Sequence, residues 1–208
     1  FCRGITCFES TILVGTHTGN IMTFNCSGST SVQIKKLISE HRHAIADIAT
    51  CKYDELTASG DVRGTVIIWS KGCKSAFLKI ETGLDITVMN MLRRHVLVGA
   101  ISGQLNLYSS STAQIALTCS AHCRPVTGIA VAPESAYVLT CSEDSVVRVF
   151  KLHTRKGQEF KLDCRYGDEL TNRCLVGASF TNDRGSSMAF AAYDYSSLTV
   201  YKIFKKVV

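Results

Sequence analysis

Read for its apolar and polar positions, the chain repeats itself. Five short segments, alternating or continuously apolar and each ending in an aromatic residue, recur along it: GNIMTF (19–24), GTVIIW (64–69), GQLNLY (103–108), SVVRVF (145–150) and SSLTVY (196–201). Their aromatic residues stand 45, 39, 42 and 51 positions apart. A period near 40 residues is the signature of a repeat architecture, in which each unit buries its apolar face against the next. In all five segments the residue five places before the aromatic is Gly or Ser, residue types that tolerate a tight turn. Ahead of that turn lies a second apolar run, TILVGTH, ELTASGD, HVLVGAI, YVLTCSED or MAFAAYD. These runs are rich in β-formers and too short for stable helices, so each pair predicts a β-hairpin.

A further strand-like run precedes each hairpin: GITCFE from Gly4, IADIATC from Ile45, ITVMNML from Ile86, VTGIAVAP from Val126 and CLVGASF from Cys174. More polar strands follow, as in SVQIKKLIS, SAFLKIET and QIALTCSA. The charged stretch 151–174, which accounts for the longest spacing, predicts an extended outer strand or an inserted loop. Four antiparallel strands per unit, with the outermost the most polar, describe an all-β chain built as a β-propeller. The predicted blades cover residues 1–40, 41–83, 84–121, 122–164 and 165–208 of a single domain.

The chain resembles the WD40 repeat family, most clearly in SAHCRPVTGIAVAPESAYVLTCSEDSVVRVF (120–150). That resemblance implies a hydrogen-bonded structural tetrad of His, Ser or Thr, Asp and Trp, for which His122, Ser142, Asp144 and Phe150 stand at the matching places. Phe150 has no indole N–H, so this tetrad is one member short. Arg63, Thr18 and Ser102 stand where the turn Asp is expected in other blades, and no strand-ending aromatic is followed by Asp. The family most often has seven blades, so the five here imply part of a larger ring, with about two N-terminal blades absent and KIFKKVV (202–208) a candidate strand for completing a blade.

The same residues raise a catalytic alternative, a Cys141 or Ser142 nucleophile with His122 and Asp144. Strand alternation puts Cys141 and Ser142 on opposite faces, and no strand-to-helix elbow or oxyanion-hole loop accompanies them. The expectation is a non-enzymatic protein with no cofactor. Propellers bind through loops at the ends of their strands, which places a candidate protein-binding rim at Arg42, His43, Asp61, Arg63, Arg124, Arg165 and Tyr195. Arg and Tyr are favoured at binding hot spots. The resemblance thus implies a scaffold or adaptor for other proteins or peptides. A narrower likeness within the family, carried by RGITCFESTILVGTHTGNIMTF and HVLVGAISGQLNLY, implies a cytoplasmic adaptor in ciliary or signalling assemblies. A substrate receptor of a cullin ubiquitin ligase is the alternative, weakened because the acidic-then-basic pattern expected after the strand-ending aromatic is missing at WSKG and FKLH.

Composition narrows this picture. The chain has 208 residues, is 46% hydrophobic, and carries no apolar run of the roughly 20 residues a membrane-spanning helix needs. The net charge of +6 sits in short groups such as Lys35-Lys36, Arg93-Arg94-His95, Arg155-Lys156 and Lys205-Lys206. They are not interleaved with aromatics, so an RNA-binding propeller is the less favoured alternative. Ten cysteines without a close-paired framework point to a reducing compartment. CSAHC (119–123) lacks the spacing and second pair of a zinc knuckle, so no metal is expected there.

Overall fold

The computed structural model describes residues 1–26, 32–70, 73–154 and 160–203. The basic pairs 155–156 and 205–206 and most of the candidate closing strand 202–208 lie outside them. Among the described residues there are nineteen β-strands and no helix. The first sheet holds β1 (Cys2–Phe8), β2 (Thr11–Thr16), β3 (Asn20–Asn25) and β4 (Gln33–Ser39); the second holds β5 (Ile45–Cys51), β6 (Leu56–Asp61), β7 (Thr65–Ser70) and β8 (Ser75–Glu81). The third comprises β9 (Ile86–Leu92), β10 (His95–Ala100), β11 (Gln104–Ser109) and β12 (Ile115–Ser120). The fourth is β13 (Val126–Ala132), β14 (Tyr137–Ser142), β15 (Val146–His153) and β16 (Lys161–Glu169); β17 (Leu175–Phe180), β18 (Ser187–Ala192) and β19 (Thr199–Lys202) form the last. In every sheet, neighbours in sequence are neighbours in space. Within the stretch 151–174, Lys161–Glu169 form strand β16, which continues past the boundary expected at 164.

Two compact units divide the chain, Phe1–Val98 with Tyr108–Ile115 and Gly99–Leu107 with Ala116–Val208. In the first, β1 packs against β5 and β5 against β9; in the second, β13 packs against β17. Strand β7 shows why its sequence is continuously apolar rather than alternating. Val66 and Ile68 belong to the cluster containing Ile86, Met89 and Val96, whereas Ile67 and Trp69 face Leu13, Ile21 and Ile38 of the first sheet. Both faces are covered, so both must be apolar. At about 1.5–3 kcal/mol per buried side chain, this burial outweighs any single polar contact in the blade. Solvent shows in the fourth strands: every residue of β4 is exposed except Ile38.

Two departures from regular pairing recur. A bulge follows the first residues of β1, β5, β13 and β17. A second interrupts the outer strands, so that Lys35, Phe77 and Arg165 are the extra residues of β4, β8 and β16. The turn glycines have a third role. Gly19 and Gly64 have φ of 81° and 97°, and a Cβ on either would sit 2.6 Å from the carbonyl oxygen of His41 or Leu84. Gly103, with φ of 84°, crowds the His122 carbonyl in the same way, and the His122 N–H donates to its carbonyl at 3.0 Å. Each of these turns is pressed against the loop leading into the following sheet.

A Gly103→Ala substitution combines positive-φ strain with a clash against backbone that cannot swing aside. It is expected to cost roughly 2–4 kcal/mol, read as a lower urea midpoint at unchanged slope.

Candidate functional site

The most complete buried polar cluster lies in the second sheet. Trp69 Nε1–H donates to Ser59 Oγ at 2.8 Å, Ser59 Oγ lies 2.7 Å from His41 Nε2, and His41 Nδ1 lies 3.1 Å from Asp61 Oδ2. All four residues are buried. With the indole occupying one lone pair of Oγ, the hydroxyl proton is free to point at Nε2. The imidazole then carries its proton on Nδ1 and donates to the carboxylate; the other neutral tautomer would set a lone pair against the negative charge. The other Asp61 oxygen accepts the Arg63 and Thr65 amides at 3.0 and 3.1 Å. One relay thus joins the third strand, the second strand, the loop into the sheet and the turn between β6 and β7. Burial is the largest influence on His41 and holds its imidazole below the ordinary value, although Asp61 favours the charged form.

This relay corrects two expectations. The turn position held by Arg63 does lack its Asp, but Asp61, two residues earlier, supplies the carboxylate. Asp61 is only 1% exposed, so it does not belong to the binding rim.

In the fourth sheet His122 Nδ1 lies 3.1 Å from Asp144 Oδ2, and the hydroxyl facing Nε2 at 2.9 Å is that of Thr140, not Ser142. Ser142 instead donates to the Arg124 carbonyl at 3.1 Å and accepts the Asp144 amide. Burial works to raise the Asp144 carboxyl, but the Cys123 and Val146 amides and His122 outweigh it and leave it below the ordinary value. Phe150 is buried at the aromatic position and contributes packing. Cys141, the thiol of the catalytic alternative, is fully buried, hydrogen-bonded to Thr127, and pushed up to about 11 chiefly by burial. A nucleophile must be exposed and ionised, and Cys141 is neither.

The remaining rim residues fall in two settings. Arg42, His43 and Arg63 of the first unit are exposed in the loop before β5 and the turn after β6, with Arg63 3.8 Å from Asp85. In the second unit Arg124 and Tyr195 are exposed in the corresponding loop and turn, and the Arg173 guanidinium lies 4.4 Å above the Tyr195 ring. Arg165 departs from expectation. It is the bulged residue of β16, beside Asp163 at 3.6 Å, on an outer strand rather than a rim loop. Sequence reading missed Asp47, immediately after the bulge in β5, whose carboxylate accepts the Met89 amide of the next sheet at 2.8 Å. Burial pushes it up to about 6, against the Met89 and Ile48 amides and Arg3.

Consecutive antiparallel sheets packed through their first strands, with His–Asp pairs binding the loop before a sheet to its second strand, define a WD-repeat β-propeller chain. A family model described as WDR54 matches residues 1–204, and the chain belongs to that family. WD repeat domain 54 of Rattus norvegicus is 27% identical over 209 residues, and WD repeat-containing protein 54 of Homo sapiens 25%. Each match covers 95% of this chain and 62% of the relative, so the chain spans less than two thirds of those proteins. Among solved structures, the β-propeller domain of Myceliophteria thermophila Cps50 (Swd1) aligns with 97% of this chain and 83% of its own, at a TM-score of 0.63 and 10% identity. The computationally designed Ika8 protein aligns with 97% of this chain and 58% of its own, at 0.75 and 16%. These likenesses carry the fold.

Two predictions follow from the relays. Thr140→Val leaves the His122 ring without a partner on Nε2 and is expected to cost about 1–3 kcal/mol in urea denaturation, more than Ser142→Ala, whose loss falls on a more exposed loop. The second concerns pH. His41, His95 and His122 are all held below the ordinary 6.5, in each case chiefly by burial. The unfolded chain therefore takes up protons first, so these groups give full stability above 6.5 and lose it as pH falls below that value. Asp47 acts oppositely, its raised carboxyl favouring the fold increasingly as pH drops through about 6. The urea midpoint is expected to fall between about pH 7.5 and pH 5.5, less steeply in His41→Gln and more steeply in Asp47→Asn.

Proposed function

We propose that the chain serves as a non-catalytic adaptor that binds acidic segments of partner proteins through its loop-and-turn rim. One observation carries this reading: the buried Asp61 and half-buried Asp144 carboxylates hold the backbone next to the exposed cations. Asp61 accepts the amide of Arg63, Asp144 accepts the amide of Cys123, and Ser142 donates to the carbonyl of Arg124. His41, with both ring nitrogens engaged, immediately precedes Arg42 and His43. Side chains that project from fixed backbone lose less conformational entropy when a partner binds. Membership of the WDR54 family supports a scaffold role, since propellers with WD repeats present such loops to proteins. The cytoplasm is the proposed location, the reducing setting that ten cysteines without a paired framework call for. Ciliary or signalling assemblies are the proposed context, on the strength of the family resemblance.

Quantitative affinity capture from cell extract, comparing wild type with an Arg42→Glu/Arg63→Glu/Arg124→Glu variant of matched melting curve, tests the reading. Partners retained by wild type and lost from the variant are expected, with capture weakening as salt rises. An identical partner list for the two proteins would contradict it.

A further inference from the structure

Away from the rim, in the first unit, a cleft of about 270 Å³ opens where three elements converge: the hairpin tip between β1 and β2, the bulge of β4, and the residues leading into β8. Its cationic lining is Lys35, Lys36 and Lys74; Ser10 and Thr11 supply hydroxyls and Glu9 the one carboxylate. Consecutive strand residues normally point to opposite faces. Lys35 and Lys36 nevertheless line the same cleft, because Thr23 pairs with Lys36 and Phe24 with Ile34, leaving Lys35 as the extra residue. A bulge breaks alternation and re-aims side chains. This one is pinned by the buried Thr23, whose hydroxyl donates to the Lys36 carbonyl at 3.2 Å. The hairpin tip is pinned too, with the Cys26 amide donating to the Ser10 carbonyl at 2.8 Å. Buried Cys73 lies beneath these side chains in the lining.

From this gathering of three lysines, two hydroxyl-bearing residues and one glutamate along a single concave site, we propose that the cleft binds a phosphate-monoester group. Among the described lining residues, three cations and one anion sum to a charge of +2, which matches a phosphate monoester carrying nearly two negative charges at neutral pH. The hydroxyls offer the directional donors that a phosphate oxygen accepts. At about 270 Å³ the cleft has room for a phosphate head. The group can arrive on a soluble phosphate or on a phosphoinositide headgroup, both of which present the same dianion.

The test uses the intact protein, isotopically labelled, titrated with inorganic phosphate and, at equal ionic strength, with chloride. Co-sedimentation with phosphatidylcholine vesicles, with and without a small fraction of phosphatidylinositol 4-phosphate, forms the second arm. Saturable shifts at the amides of Ser10, Lys35, Lys36 and Lys74 with phosphate alone are expected. Lys36→Gln/Lys74→Gln, at surface positions that leave melting unchanged, should weaken binding about tenfold. Vesicle binding that needs the phosphoinositide and is lost in the variant assigns a lipid source; binding of soluble phosphate without it assigns a free one. Shifts that never saturate, that chloride reproduces, or that survive in the variant would overturn the proposal.

Discussion

A buried imidazole has to be satisfied on both of its nitrogens, and much of the order at the loop ends of these sheets depends on that constraint. In the second sheet the solution is complete: Trp69 donates to Ser59, Ser59 to His41, and His41 to Asp61. Each hydrogen bond contributes about 0.5–1.5 kcal/mol net, or 1.5–3 where a charge takes part, less than the apolar burial around it. Its importance lies in what it joins, because apolar packing is nondirectional and does not fix the path of a loop. The relay does, by binding four separate segments of one sheet to each other.

The fourth sheet reaches the same end with different groups. Thr140 takes the hydroxyl role and Asp144 the carboxylate, and Phe150 fills space without donating. The third strand is therefore outside the network there, and the loop is held instead by the Cys123 amide and the Ser142 hydroxyl. Where no imidazole precedes the sheet, as at Leu84, the Thr82 hydroxyl bridges instead, donating to the Gly64 carbonyl while accepting the Leu84 amide. The repeats are degenerate in sequence but convergent in purpose.

Much of this was legible in the chain. The runs IADIATC and ITVMNML are β5 and β9 in full, and in the first four sheets the turn before the third strand falls where its Gly or Ser stands, whereas β19 begins three residues after Ser196. The misassignments trace to what register and pairing decide. Thr140 and Ser142 lie two residues apart in β14, and strand alternation places such a pair on the same face, whereas the carboxylate expected in the turn at Arg63 comes from Asp61 at the end of β6. Periodicity separates Cys141 from Ser142 but cannot separate Ser142 from Thr140; only the register against the incoming loop does so. Arg165 was misplaced because the outer-strand bulge and the reach of β16 to Glu169 depend on cross-strand pairing. The contact between Arg173 and Tyr195, and that between Asp47 and Met89, join residues far apart in sequence, and no local signal announces either.

The most direct test of the relay uses the fact that Trp69 is the only tryptophan. Its indole N–H gives one resonance in a ¹⁵N-labelled sample, and its exchange with solvent deuterium reports how often the hydrogen bond to Ser59 opens. The account predicts exchange as slow as that of the most protected backbone amides of β6 and β7, and markedly faster exchange in Ser59→Ala. Rapid indole exchange in the wild-type protein, while those backbone amides stay protected, would contradict it.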